Sequence, residues 1–129
     1  MHKGLDSPHE KVEQQALVRW VRYQPLISQF IMKLDNEKKR TLIQGHQIKL
    51  SGLYPGASDL FLAFPTKRHH GLWIEVKRNK KYCKSEMEKP SWKAQVKFLE
   101  TMKSVGYDGY IVYGWEHGVK IIEAYLLDG

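Results

Sequence analysis

Asp59, Glu75 and Lys77 stand where strands normally bury hydrocarbon. The runs "DLFLAF" (59–64) and "LWIEVK" (72–77) are strand-like, and a short polar turn joins them. Side chains alternate between the faces of a strand, so Glu75 and Lys77 project together while Ile74 and Val76 project oppositely. If the runs pair as an antiparallel hairpin, Asp59 at the mouth of the first reaches the same side as Glu75. Two carboxylates and an ammonium then share a small volume. Neighbouring carboxylates repel and resist burial, which calls for a compensating cation. Lys77 supplies one positive charge and a divalent metal ion supplies two. Oxygen donors with no thiolate or paired histidine nearby favour Mg²⁺ or Mn²⁺ over Zn²⁺. An acid-x-Lys triplet also describes a structural ion pair at a solvated sheet edge, so the triplet alone does not decide.

The surrounding charge points to a polyanion. The chain of 129 residues carries a formal charge of +7. From Lys77 to Lys103 there are nine Lys or Arg against three Glu, a local excess of six positive charges. A basic segment directly after an acidic cluster suits a polyanionic partner lying across both, although ordinary solvating lysines give the same composition. Arg78, Lys80, Lys81, Lys84, Lys93 and Lys97 are candidates for contact with a phosphate backbone. Asn36, Lys39 and Arg40 of "DNEKKRT" (35–41) form a second group. An anionic membrane fits less well, because no exposed amphipathic apolar face accompanies the basic residues.

Length sets one domain: residues 1–8 read as a loose leader and 9–129 as a single unit able to bury about two-thirds of its unfolded surface. A single cysteine, Cys83, excludes an internal disulfide and a multi-cysteine zinc site. No apolar signal core opens the chain, and no run approaches the roughly 20 apolar residues that span a bilayer. The expectation is a soluble, cytoplasmic protein.

The elements that must position these residues follow from the hydrophobic period. Val12, Ala16, Leu17, Trp20 and Val21 predict a helix over His9 to Tyr23. Glu10, Gln14 and Leu17 share its stripe, so Glu10 either extends inward or simply complements the positive end of the helix dipole. Glu13 is a second acid on this helix. Pro25 ends it, and residues 25–34 read as a strand or a buried extension. Residues 42–53 read as a short helix or a strand leading into a Pro55-Gly56 turn. His46, His69 and His70 read as surface. Residues 78–89 predict a hydrophilic loop, mobile without a ligand. Pro90-Ser91 opens a helix with Trp92, Val96, Leu99 and Met102 as its apolar stripe, beside which Gln95 needs a partner for its amide. Gly106 stops that helix, "YDGYIVYG" (107–114) predicts a strand, and "EHGVKIIEAYLL" (116–127) a closing amphipathic helix. The order is αβββαβ plus a C-terminal helix, an α/β fold with a mixed central sheet flanked by helices.

Taken in order, six segments resemble the VRR-NUC branch of the PD-(D/E)XK nuclease superfamily, in the small stand-alone form of phage and bacteria. They are "HEKVEQQALVRW" (9–20), "NEKKRT" (36–41), "PGASDLFLAFP" (55–65), "GLWIEVK" (71–77), "AQVKFLETMKSVGY" (94–107) and "YGWEHGVKIIEAYL" (113–126). The resemblance runs from about residue 9 to 127 and implies a restriction-endonuclease-like core. It implies that Asp59 and Glu75 bind Mg²⁺ or Mn²⁺, with the Val76 carbonyl as a further ligand and Lys77 as the lysine of the acid-x-Lys element. Glu10 is then the first-helix acid, acting directly on the metal or through water, and Gln95 the amide that completes the site. The implied reaction is phosphodiester hydrolysis leaving a 5′ phosphate and a 3′ hydroxyl. Stand-alone members resemble Holliday-junction resolvases that act as homodimers, since two symmetric cuts need two sites. Apolar residues in 25–34 and the last helix are candidates for such an interface. Without a separate DNA-reading domain, recognition by shape and phosphate is expected. A flap- or restriction-type nuclease of the same fold and a basic DNA-binding module without turnover are the alternatives. The chain departs from the family by having Ser58 where proline is usual, and by lacking the namesake tripeptide.

Overall fold

A computed structural model of the chain describes residues 6–34 and 56–127. Its elements are α1 (Asp6–Arg22), β1 (Ile31–Lys33), β2 (Leu60–Leu62), β3 (Leu72–Lys77), α2 (Pro90–Ser104), β4 (Asp108–Tyr113) and α3 (Trp115–Leu127). This is the αβββαβ order with a closing helix that the hydrophobic period predicts. The sheet runs β1-β2-β3-β4. β1 with β2 and β2 with β3 are antiparallel, whereas β3 and β4 are parallel and therefore need the α2 crossover between them.

Strand alternation sorts the core into two layers. Leu60, Leu62, Leu72, Ile74, Val76 and Val112 pack with Leu17 and Val21 of α1 and Ile122 and Tyr125 of α3. Trp73 and Ile111 pack with Phe98 and Leu99 of α2 and with Ala57. Helices thus cover both faces, and β3 is buried along almost its whole length. Each apolar side chain taken from water in this way stabilises the fold by about 1.5–3 kcal/mol.

Two expectations change at the edges of elements. α1 begins at Asp6, so residues 6–8 belong to the helix rather than to a leader. Pro8 is compatible with this because the first helical turn has no partner for its backbone N–H groups. The segment after β3 is organised, not loose. It forms two short 3₁₀ turns, Lys80–Tyr82 and Glu86–Glu88. Asn79 Oδ1 accepts from the Lys81 N–H at 3.0 Å, and Arg78 Nη2 donates to the Tyr82 carbonyl at 2.8 Å. Arg78 also lies 3.5 Å from Glu86, and Cys83 is wholly buried beneath them. Composition hid this because the residues that anchor the loop, an arginine and a cysteine, do not read as a core.

Between α1 and β1 the chain turns through Ile27 N–H to Gln24 O (3.1 Å) and Phe30 N–H to Ile27 O (3.0 Å). Residues 25–34 are therefore part turn and part strand. Residues 42–53 and His46 lie outside the described residues. No described helix is long and apolar enough to cross a membrane.

Candidate active site

β2 and β3 pair with Leu60 opposite Ile74 and Leu62 opposite Leu72. Asp59 stands in a bend just before β2 and Glu75 just after Ile74, so the register continued by one residue would bring the two acids opposite each other. Directly opposed side chains in an antiparallel pair share a face, with Cβ atoms about 5 Å apart. That face is the one α2 covers, since Ile74 and Val76 belong to the opposite layer. Asp59 is 8% exposed, Glu75 1% and Lys77 6%. The Lys77 ammonium lies 3.5 Å from Glu75 Oε2. The cluster does not sit on a sheet edge, because β3 has a neighbour on each side. Among the described residues, however, the β2–β3 ladder ends at the Leu60–Ile74 pair while β3 continues with β4 to Lys77. The end of β3 thus projects beyond its antiparallel neighbour.

Aromatic rings close one side of this cluster. Trp92, in the first turn of α2, places its ring centre 4.7 Å from Lys77 Nζ. Tyr113, at the end of β4, stacks 6.5 Å from Trp92 on one side and 6.0 Å from His117 on the other. His117 Nδ1 accepts from the Tyr113 N–H at 3.0 Å, which fixes the imidazole in register with the phenol. Burial pushes the Tyr113 phenol above its ordinary value, with the Cys83 charge adding to the effect.

The two acids of α1 have different occupations. Glu13 Oε1 accepts from the Trp115 N–H at 2.8 Å, capping the otherwise unpaired start of α3. Glu10 is half-buried and its charge raises the Cys83 thiol, as does that of Glu86; burial is the larger cause, and Lys77 and Arg78 act in the opposite sense. Glu10 and Lys77 therefore face a common neighbourhood at the end of β3. Gln95 lies on the buried side of α2, three and four residues before Phe98 and Leu99. Its Oε1 is buried and has no hydrogen-bond partner among the described residues; the same holds for Gln14 Oε1 and Ser58 Oγ. Gly56, at φ +83°, brings the chain before Asp59 against α2 so closely that a Cβ there would lie 2.8 Å from the Ala94 carbonyl oxygen.

These donors suit a hard divalent ion. Two buried carboxylates on one face and neutral oxygens with no partner are the set that Mg²⁺ or Mn²⁺ takes, with water completing the shell. No group of three or more His, Cys, Asp or Glu close enough to hold a metal occurs among the described residues. Glu10 is accordingly not drawn in as a third carboxylate ligand beside Asp59 and Glu75.

The basic candidates divide three ways. Lys80, Lys81, Lys84, Lys93 and Lys97 are exposed. Arg78 is turned into its own loop, as described above. Asn36, Lys39 and Arg40 lie outside the described residues.

Comparison with solved structures then bears on the fold. One described as a VRR_NUC domain protein superposes with a TM-score of 0.74 at 20% identity, covering 92% of this chain and 88% of that one. The fold is that of a VRR-NUC domain. No protein-family model matches the sequence, and no curated protein does. Within the VRR-NUC fold, the αβββαβ path leaves Asp59, Glu75 and Lys77 at the end of the interior strand β3. Trp92 and Tyr113 are the neighbours that sequence reading did not assign to this site. Trp92 was visible only as a stripe residue of α2, because its contact with Lys77 depends on where the crossover helix docks. Tyr113 carried no signal beyond a strand-end aromatic.

Proposed function

We propose that the chain is a VRR-NUC nuclease: a metal-dependent, structure-selective DNA endonuclease, acting as a homodimer that resolves four-way junctions. The observation that supports this reading is the burial of Asp59, Glu75 and Lys77 together with the Lys77 ammonium 3.5 Å from Glu75 Oε2. Nothing structural requires two carboxylates to face each other under a helix, and like charges placed so are destabilising. Such strain is characteristic of a site kept for chemistry.

Asp59, Glu75 and the Val76 carbonyl would hold Mg²⁺ or Mn²⁺. The chemistry supplied by that ion when bound is Lewis-acid polarisation of the phosphodiester and acidification of the attacking water. Lys77, placed between Glu75 and the Trp92 ring, neutralises charge gathering on the phosphoryl oxygens. Glu10 orients the water from the first helix, and the Gln95 amide oxygen accepts a hydrogen bond from that water or its neighbour. Lys80, Lys81, Lys84, Lys93 and Lys97 bind phosphates on either side of the cut, with no base readout required.

The test compares a four-way junction, a flap and a linear duplex with Mg²⁺, with Mn²⁺ and with EDTA. Selective junction cleavage that needs the metal is expected, as is its abolition by Asp59→Ala or Glu75→Ala with binding in Ca²⁺ retained. Equal cutting of all three substrates removes the selectivity. Binding without cleavage in any metal favours instead a basic module that has kept the fold. Lys80, Lys81 and Lys84 changed together to alanine should weaken binding and flatten its salt dependence.

A further inference from the structure

Tyr82 is 52% exposed in the middle of the basic stretch, immediately before Cys83, which is wholly buried. An aromatic ring left open to water forgoes the burial that its area would otherwise bring. The backbone that carries this ring is anchored. Its backbone carbonyl accepts from Arg78 Nη2, its N–H donates to the Asn79 carbonyl at 3.0 Å, and Cys83 anchors the next residue in the interior. Arg78 Cζ lies 5.2 Å and Lys81 Nζ 5.1 Å from the ring centre. Arg78 is fixed there by Glu86, whereas Lys81 is an exposed, flexible cation.

An exposed aromatic ring on an anchored backbone, flanked by cations, is the arrangement that takes a nucleobase on its face and the adjoining phosphates on its charges. We propose that Tyr82 is the stacking platform for an unpaired base of the substrate. In this arrangement Lys81 leaves the ring for a phosphate as the base arrives. Bases inside a duplex are already stacked and paired, so the platform engages only DNA with a single-stranded, frayed or branched element. Tyr82 follows Lys77 by five positions in the segment that leaves the end of β3. The inference rests on the nuclease reading and deepens it by naming the feature that separates branched from continuous DNA.

Binding is measured with Ca²⁺ in place of Mg²⁺, by fluorescence anisotropy, on a single-stranded oligonucleotide, a four-way junction and a blunt duplex. One base–aromatic stack contributes about 1–3 kcal/mol, so Tyr82→Ala should weaken single-strand and junction binding by about 5- to 150-fold. Duplex binding should change by less than about twofold, and Tyr82→Phe should behave as the unaltered chain. Lys84→Ala, by contrast, should weaken all three to the same degree, as expected of a phosphate contact. Tyr82 is exposed, so its replacement does not threaten the core. Equal loss on all three DNAs, or no loss on any, overturns the platform while metal-dependent cleavage by the unaltered chain leaves the nuclease reading standing. Failure of the unaltered chain to bind any of the DNAs overturns both.

Discussion

The Lys77 ammonium lies over the Trp92 ring, 4.7 Å from its centre, with Glu75 Oε2 3.5 Å away. Two different attractions, one to a carboxylate and one to the negative face of an indole, hold the same cation in a mostly dry place. Trp92 thereby positions Lys77 without touching the substrate. Trp92→Leu is expected to lower kcat by about tenfold and leave the Kd for junction DNA in Ca²⁺ nearly unchanged, with Trp92→Phe recovering most of the rate. A loss that phenylalanine does not recover, or one that appears in Kd, would assign Trp92 to packing alone.

The opposition of Asp59 and Glu75 exposes a conflict between stability and chemistry. On the proposed reading the two carboxylates share a divalent ion and repel without it, and Asp59→Asn removes that repulsion while keeping the shape. Thermal unfolding in EDTA should show the variant more stable by about 1 kcal/mol, or about 4 °C. Added Mg²⁺ or Mn²⁺ should raise the Tm of the unaltered chain and leave the variant unmoved. A variant less stable in EDTA contradicts the reading of Asp59 as a strained ligand.

Glu10 and Glu13 are one turn apart and are expected to fail differently. Glu13→Ala removes the acceptor for the Trp115 N–H and should cost about 0.5–2 kcal/mol of stability with little effect on cleavage. Glu10→Gln should lower cleavage by about 100-fold or more with a smaller change in Tm. Melting curves and single-turnover rates on the two variants distinguish the roles, and a reversed pattern would exchange them.

Burial raises the Cys83 thiol above its ordinary 9.0. The folded state therefore favours the protonated form, and its contribution to stability is fully present below the unfolded pKa. That contribution falls as pH rises from about 9 through the folded value. Tyr113 and Tyr125 are raised by burial as well, so their contributions decline from about pH 10 upward. Cys83→Ala should lower Tm near neutrality, through lost packing, yet flatten its fall between about pH 9 and 10. An unchanged alkaline slope in the variant would remove Cys83 from this effect.

The order of elements was legible because each rests on local period: the stripe of α1, the alternation of β3 and the Pro90 start of α2 are all written within a few residues. The shared face of Glu75 and Lys77 was legible for the same reason, since strand alternation determines it. What required the fold was anything joining distant segments. The contact of Glu13 with the Trp115 N–H appears only once α3 is in place, and those of Arg78 with Tyr82 and Glu86 only once the loop curls back over it. Phe98 was likewise missing from the expected stripe of α2. Its burial against Trp73, with ring centres 4.9 Å apart, follows from the crossover packing on the sheet and not from the helix sequence.

Gly56 has a bearing on how this protein can change over generations. Its missing side chain sets the gap between the segment leading to Asp59 and the helix bearing Gln95, because the Ala94 carbonyl already occupies the space that a methyl group would need. Any enlargement there would wedge the segment leading to Asp59 away from the helix above it, so mutational drift at Gly56 is answerable to the proposed site. Loss of activity can therefore begin at a residue that has no atoms to contribute to it.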